Sequence, residues 1–426
     1  MSALSSIRGL CETNGRAFAI GQQHVNNYLF EVDKRGNLTQ WGAPLPADPR
    51  PQLCASQTEI LILSGGLGYV FDLATNTLTP ITAAGFPVGA TKIGYLDGYF
   101  VALQANSQSF SLSGLNDGTS WDPLDFGSAE GEPGDMVSFV IDHRQVWFFG
   151  NTHAEIYYDS GAANFPLSRL EGAFMEQGCA AADSLVRCDN SVFWLGRNGS
   201  GGGVVWRANG YTPERVSNHA IEQMIQSYPR IDDAQAYSYQ DGGHEFYVLS
   251  FPTADRTLVY DVASGMWHER GWWDASRGIY RRDRAACHMY AFGKHLAGDW
   301  MTGTLFEMTA GCYTDAGTPI RRLRSSPDLT SNGTFTRYGE LRLFVEAGSG
   351  ADGGAPGSDP QITLQSSDDG GFTWSDENPA SLGKLGEYRK LVRWRRLGRS
   401  NNRAFRVICS EPVQFALISA DVEASS

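Results

Sequence analysis

A hairpin that keeps returning limits what this chain can fold into more than any other feature. The stretch Arg256 to Trp273, RTLVYDVASGMWHERGWW, has a short apolar run at Leu258, Val259 and Tyr260, a punctuating Asp261, a turn through Ala263, Ser264 and Gly265, and a return strand from Met266 and Trp267. The same plan stands in NYLFEVDKRGNLTQW (Asn27 to Trp41) and GYVFDLATNTLTPI (Gly68 to Ile81), with looser copies at Ala154 to Asp159, Val204 to Arg215 and Thr304 to Met308. One hairpin repeated down a chain marks a repeat architecture.

Each copy is preceded by another pair of short strands, as in RGLCETNGRAFAIG from Arg8, KIGYLDGYFVALQ from Lys92 and AYSYQDGGHEFYVLS from Ala236. Their tips carry Asp97-Gly98, Asp189-Asn190 and Asp241-Gly242, residues that tolerate the positive φ of a tight turn. Four strands per unit follow, and the units recur roughly 40 to 55 residues apart, near the period of radially arranged blades. Glycine (49 residues) and aromatics (12%) are plentiful while helical periodicity is scarce, so the class is all-β. We expect a β-propeller of about seven four-stranded blades over residues 1–316. The second unit has a weak first strand, and Gly199 to Gly203 loosens the fifth. One interruption, SNHAIEQMIQSYP, predicts a short structural helix with Ser217 as N-cap, apolar Ile221, Met224 and Ile225, and a stop at Pro229.

Near Thr318 the pattern changes. A connector with Pro319 and Pro327 leads to an alternating strand at Tyr338 to Gly348 and then, beyond a Gly-, Ala- and Asp-rich loop from Gly348 to Pro360, to QITLQSS and further strands at Tyr388 to Leu397, Arg403 to Ser410 and Gln414 to Val422. A β-sandwich-like domain is expected over residues 317–426.

The net charge of −13 argues against free binding to DNA or to acidic membranes. The charge is uneven, however. Lys384, Arg389, Lys390, Arg393, Arg395, Arg396, Arg399, Arg403 and Arg406 crowd one segment, with Glu387 the one acid among them. They read either as solvated strand faces or as a surface that docks an acidic partner or a phosphate backbone. Seven scattered cysteines without metal-ligand spacing point to free thiols and to no zinc site. MSALSSIRGLCETNG has no apolar signal core, and no run approaches the ~18 apolar residues of a membrane span, so a soluble, unsecreted protein is expected.

For chemistry, the chain offers little. No nucleophile elbow, zinc-protease or P-loop pattern occurs, and the eight histidines are dispersed. The acidic patch Asp122, Asp125, Glu130, Glu132 and Asp135 sits in a Gly/Pro loop where solvated charge is the default reading. No catalytic, cofactor or metal site is expected. Ser367, Asp369, Gly371, Thr373 and Trp374 fit the S-x-D-x-G-x-T-W Asp-box, a hairpin whose Asp caps turn amides above a packed Trp. Sialidases carry several such boxes, and a sialidase-like or glycan-binding propeller is the alternative reading. It would need three arginines converging on the axis, and Arg207, Arg256 and Arg281 do not hold equivalent positions in successive units. An intracellular scaffold propeller is a third reading.

Several phrases together resemble the phage stabilisation family, the packaged-DNA stabilisation or tail hub (nozzle) proteins of short-tailed bacteriophages. They are SGLNDGTSWDPLDFGSAEG (Ser113 to Gly131), FFGNTHAEIYYDSGAANFPLSRLEGAFMEQGC (Phe148 to Cys179), NGYTPERVSNHAIEQMI (Asn209 to Ile225) and GEYRKLVRWRRLGRSNNRAFRVICSEPVQFALISADVE (Gly386 to Glu423). The resemblance implies a non-enzymatic virion protein, assembled in the host cytoplasm as a ring, a hexamer in relatives, below the portal and head-to-tail adaptor. It implies a lumen that passes DNA without reading its sequence, and surfaces for a tail needle, spikes or fibres. It also implies an N-terminal arm ahead of the first blade, whereas this sequence starts almost at the first strand. In such a ring Arg389, Lys390, Arg393, Arg395, Arg396, Arg399 and Arg403 become candidate interaction residues. Protein contact is favoured over DNA, because DNA in transit must not be gripped.

Overall fold

The computed structural model describes residues 4–162, 165–199, 201–330 and 332–425. The chain divides into two compact units, Met1–Gly271 with Tyr280–Met308, and Trp272–Ile279 with Thr309–Ser426.

The first unit is a closed seven-bladed propeller. Five antiparallel sheets have four strands in simple up-and-down order, and the blades start with the inner strands Ser6–Thr13, Gln52–Ala55, Lys92–Leu96, Met136–Asp142, Val186–Cys188, Gln235–Asp241 and Ala285–Ala291. Each inner strand packs beside the next, and Ala285–Ala291 packs beside Ser6–Thr13, so the circle closes. Two blades depart from the four-strand expectation. Blade 6 gains a fifth strand, Ile279–Arg282, and blade 7 has three, because after Met308 the chain leaves for the second unit. Ile279–Arg282 thus extends the sheet that precedes blade 7.

The core is distributed rather than central. A sheet cannot hide both faces alone, and here seven apolar clusters lie one between each pair of neighbouring blades. Phe18, Ile20, Leu29, Ile60, Ile62 and Phe71 join blades 1 and 2, and Phe193, Leu195, Tyr247, Leu249 and Phe251 join blades 5 and 6. Ile7, Ala17, Ala19, Met289 and Ala291 form the seam between blades 1 and 7. At that seam Gly303 N–H donates to the Leu4 carbonyl at 3.1 Å, and a Cβ on Gly303 would stand 1.9 Å from that of Leu4. No side chain fits there.

The recurring hairpin closes by one device. Asp261 accepts from Ala263 N at 3.1 Å and Ser264 Oγ at 2.7 Å; Asp72 accepts from Ala74 N and Thr75 N at 2.9 and 2.7 Å; Asp33 accepts from Arg35 N and Asn37 N, both at 2.8 Å. A carboxylate that bonds amides two to four residues ahead fixes the turn and so the register. At the inner tips, Asp97-Gly98 and Asp189-Asn190 take positive φ as expected, but in blade 6 the turn residues are Gly242-Gly243 and Asp241 ends the strand.

The helix spans His219–Gln226, capped by Asn218, whose side chain accepts from Ile221 N. The expected cap, Ser217, instead turns inward, donating from Oγ to Glu222 at 2.7 Å and accepting from Val205 N at 3.0 Å.

The second unit contains a sandwich. One sheet orders Arg322–Ser325, Asn402–Cys409, Gln361–Ser367 and Asn378–Ser381, with Leu329–Thr330 also on Asn402–Cys409; the other orders Val392–Ser400, Thr336–Val345 and Leu417–Ser425. Tyr338, Leu341, Leu343, Val392 and Trp394 of the latter meet Ile362, Leu364, Phe405, Val407 and Cys409 in one core.

Candidate docking surface

In the sandwich's three-stranded sheet, alternation interrupted by a bulge sends Tyr338, Leu341 and Leu343 inward and exposes Arg337, Arg342 and Phe344. Cross-strand register then places like charges opposite one another: Arg337 faces Arg399, and Arg342 faces Arg393. Such pairs oppose folding unless something neutralises them. Glu340 does so in part, accepting from Arg342 Nε at 2.5 Å and Arg395 Nε at 2.8 Å. The hydrogen bonds from Arg342 and then Arg395 hold its carboxyl down at about 2. Between Tyr338 and Glu340 the register slips opposite Arg396, whose φ of 61° marks a bulge that re-aims the strand. Val392–Ser400 is an edge strand, and charge on an edge blunts self-pairing.

Of the seven residues proposed from sequence, Arg389, Lys390, Arg393, Arg395, Arg396 and Arg399 are exposed. Arg395 is spent on Glu340, and Arg399 lies over the Phe335 ring at 5.4 Å. Arg389, Lys390, Arg393 and Arg396 form no ion pair among the described residues. Arg403 is a correction. It is 4% exposed, pairs with Asp368, and donates from Nη1 to the Leu397 carbonyl at 2.6 Å. A guanidinium satisfied inside the unit has nothing left for a partner, so Arg403 is structural. Beside the arginines, Leu385, Tyr388 and Leu391 are exposed at 57, 74 and 44%, an apolar supplement that charge patterning alone could not reveal.

The Asp-box folds as a hairpin lock. Asp369 accepts from Thr373 N at 2.9 Å, Ser367 Oγ accepts from Gly371 N at 2.9 Å, and Trp374 Nε1 donates to the Gly371 carbonyl at 2.9 Å. Hydrogen bonds led by Thr373 hold Asp369 down at about 2, and Arg406 lies over the Trp374 ring at 4.0 Å.

The three arginines weighed for a carboxylate triad do not converge. Arg207 pairs with Asp189 at 2.7 Å, Arg281 with Asp255 at 2.9 Å, and Arg256 donates to the Tyr280 carbonyl. None stands on an inner strand. Sequence reading missed the pair that does cross the propeller: Arg50, leading into blade 2, meets Asp183, leading into blade 5, at 3.2 Å. Burial opposes the Asp183 charge, but Arg50 and then Lys92 outweigh it and hold its carboxyl below the ordinary range. Among the described residues no group of His, Cys, Asp and Glu is placed to hold a metal ion, all seven cysteines are free, and no helix is long and apolar enough to cross a membrane.

These features define a class, a seven-bladed propeller protein with an appended β-sandwich and its unpaired charge on an open sheet face. The family follows from comparison with known proteins. Residues 20–311 match the family model described as Bacteriophage P22 Gp10, beta-propeller, and residues 322–425 match Bacteriophage P22 Gp10, beta-sandwich. The chain belongs to this family and is a structural protein of the phage virion tail. No curated protein matches it. Solved structures with a similar fold include virginiamycin B lyase from Staphylococcus aureus, at 10% identity and TM-score 0.47, covering 72% of this chain and 96% of that one. PorZ, a surface component of the type-IX secretion system of Porphyromonas gingivalis, is similar at 10% identity and TM-score 0.43, covering 80% and 44%. Likeness at this level carries neither activity nor ligand to this chain.

Proposed function

We propose that the chain is the tail hub, or nozzle, of a short-tailed phage. Copies assemble in the host cytoplasm into a ring, with six subunits expected, below the portal and head-to-tail adaptor. The ring prolongs the DNA channel, helps retain packaged DNA, and offers docking surfaces to a needle, spikes or fibres. The observation that carries this reading is the match of both units, in order, to one family of phage proteins. The arginine face adds physical support, since a surface with like charges set opposite one another gains from an acidic neighbour. DNA in the lumen is passed rather than read, because a chain of net charge −13 has no surplus with which to hold a polyanion along its surface.

The test is native mass spectrometry and negative-stain microscopy of the purified protein, alone and with the adaptor. A ring in either sample supports the reading. An isolated monomer in both, at concentrations well above those of assembly in the cell, overturns it.

A further inference from the structure

Outside the sandwich, a second surface lacks a partner. Between Ser109–Leu112 and the outer strand of blade 3, Phe126–Ser128, the chain makes a loop that exposes Leu124 at 82%, next to the first residue of that strand, Phe126, at 56%. Around them, Asp122, Asp125, Glu130 and Asp135 form no ion pair among the described residues. A loop of this composition would ordinarily be a solvated excursion, but this one is anchored at both ends. Trp121 is 3% exposed, donates from Nε1 to the Gly118 carbonyl at 2.8 Å, and packs edge-on to Phe86. Gly118 N–H donates to Glu59, and Gly131 N–H donates at 2.8 Å to Glu155, which is fully buried beside Arg169 and His153. Two buried anchors hold two exposed hydrophobic side chains and the three carboxylates between them, Asp122, Asp125 and Glu130, in fixed positions. The ordering entropy of binding is thereby largely met in advance.

We propose that this loop seats on the arginine face of the sandwich in a second copy of the chain. The inference rests on the ring reading and names its contact. Free carboxylates around Leu124 and Phe126 complement Arg393, Arg396 and Arg399 beside Phe344 and Tyr388, apolar against apolar and acid against base. The two surfaces are different parts of one chain, so the contact is heterologous. Repeated head to tail, it generates a closed ring whenever its rotation divides the circle. One contact type then neutralises both the carboxylates of the loop and the opposed arginines of the sheet. A nucleic acid could satisfy only the second.

The experiment reverses each side separately. Asp122→Lys/Asp125→Lys/Glu130→Lys changes the loop, Arg393→Glu/Arg396→Glu/Arg399→Glu changes the face, and a third chain carries all six substitutions. Each one-sided variant is expected to lose about tenfold or more of its rings in native mass spectrometry, while the six-fold variant recovers them. An equimolar mixture of the two one-sided variants forms rings with alternating subunits, because each reversed surface meets its complement. A six-fold variant and a mixture that assemble no better than the one-sided chains, with unfolding temperatures equal to the parent's, overturn the contact while leaving the ring intact. A parent chain that is monomeric with and without adaptor overturns the ring itself. If the reversed chains do not fold, milder Asp125→Asn/Glu130→Gln and Arg393→Gln/Arg399→Gln chains replace them, and rings less sensitive to salt than the parent's support the contact, while salt sensitivity equal to the parent's in both overturns it.

Discussion

Arg396 holds a backbone conformation that works against its own fold. Its φ of 61° lies in the left-handed region, which costs an ordinary L-residue about 1 kcal/mol and costs glycine nothing. Arg396→Gly is therefore expected to raise the sandwich's stability by up to about 1 kcal/mol in denaturant titrations, while weakening ring formation. A variant that gains no stability would show the bulge to be unstrained. Arg403 is the counter-case. In sequence it is indistinguishable from its basic neighbours, because its mate, Asp368, lies 35 residues away in the turn after Gln361–Ser367 and nothing local announces the pair. The same blindness hid Arg50 and Asp183.

His288 supplies a pH dependence. Its Nε2 lies 3.0 Å from Nδ1 of His295 in a stacked pair, and burial first, then His295, hold its imidazole down at about 4. An unfolded histidine takes up its proton near pH ~6.5. Between about 6.5 and 4 the unfolded chain therefore binds more protons than the folded one. The contribution of this pair is fully present above about pH 6.5 and is lost as the pH falls toward 4. His288→Asn should flatten that part of the stability profile by on the order of 2 kcal/mol, read as the difference between parent and variant unfolding at pH 7 and pH 5. Parallel profiles would refute the assignment.

At the scale of elements, the hairpins were legible because their chemistry is local. An Asp two to four residues ahead of the amides it binds, as at Asp33, Asp72 and Asp261, is written into a short stretch of sequence. The helix was legible as an element but not in its cap, since Ser217 and Asn218 are both competent and only the buried Glu222 decides that Ser217 faces inward. Asn218→Ala is expected to cost about 1 kcal/mol in thermal or denaturant unfolding; Ser217→Ala removes bonds to both Glu222 and Val205 and should cost more. The reverse ranking would restore Ser217 as the cap. The arginine face was legible as composition only. Which arginines remain unpaired depends on cross-strand register, and that is set by packing in the core of the sandwich.

For the whole molecule, closure is the feature that no local pattern contains. Ile7 and Met289 belong to the first and last blades, yet they share one cluster. Ile7 is fully buried there, and Ile7→Ala should cost about 3 kcal/mol, detected as earlier opening of the blade 1 to blade 7 contact in hydrogen exchange. Equal loss of protection in all blades would mean that the propeller opens as a single unit.

The seam is held by packed faces, by the Leu4 to Gly303 bond and by the Cys287 thiol, which donates to the Ile7 carbonyl at 4.0 Å; as between the other blades, no strand ladder joins the sheets of blades 1 and 7 among the described residues. Blade 7 is also the blade from which the chain passes to the second unit. The other neighbouring blades are likewise joined by packed side chains rather than by ladders, and the chain's exit from blade 7 decides which seams a tug on that unit loads first. Parting side chains there needs less force than shearing a row of backbone bonds, so under mechanical load this propeller would yield like a clasp, blade 7 swinging free before any neighbouring sheet tears.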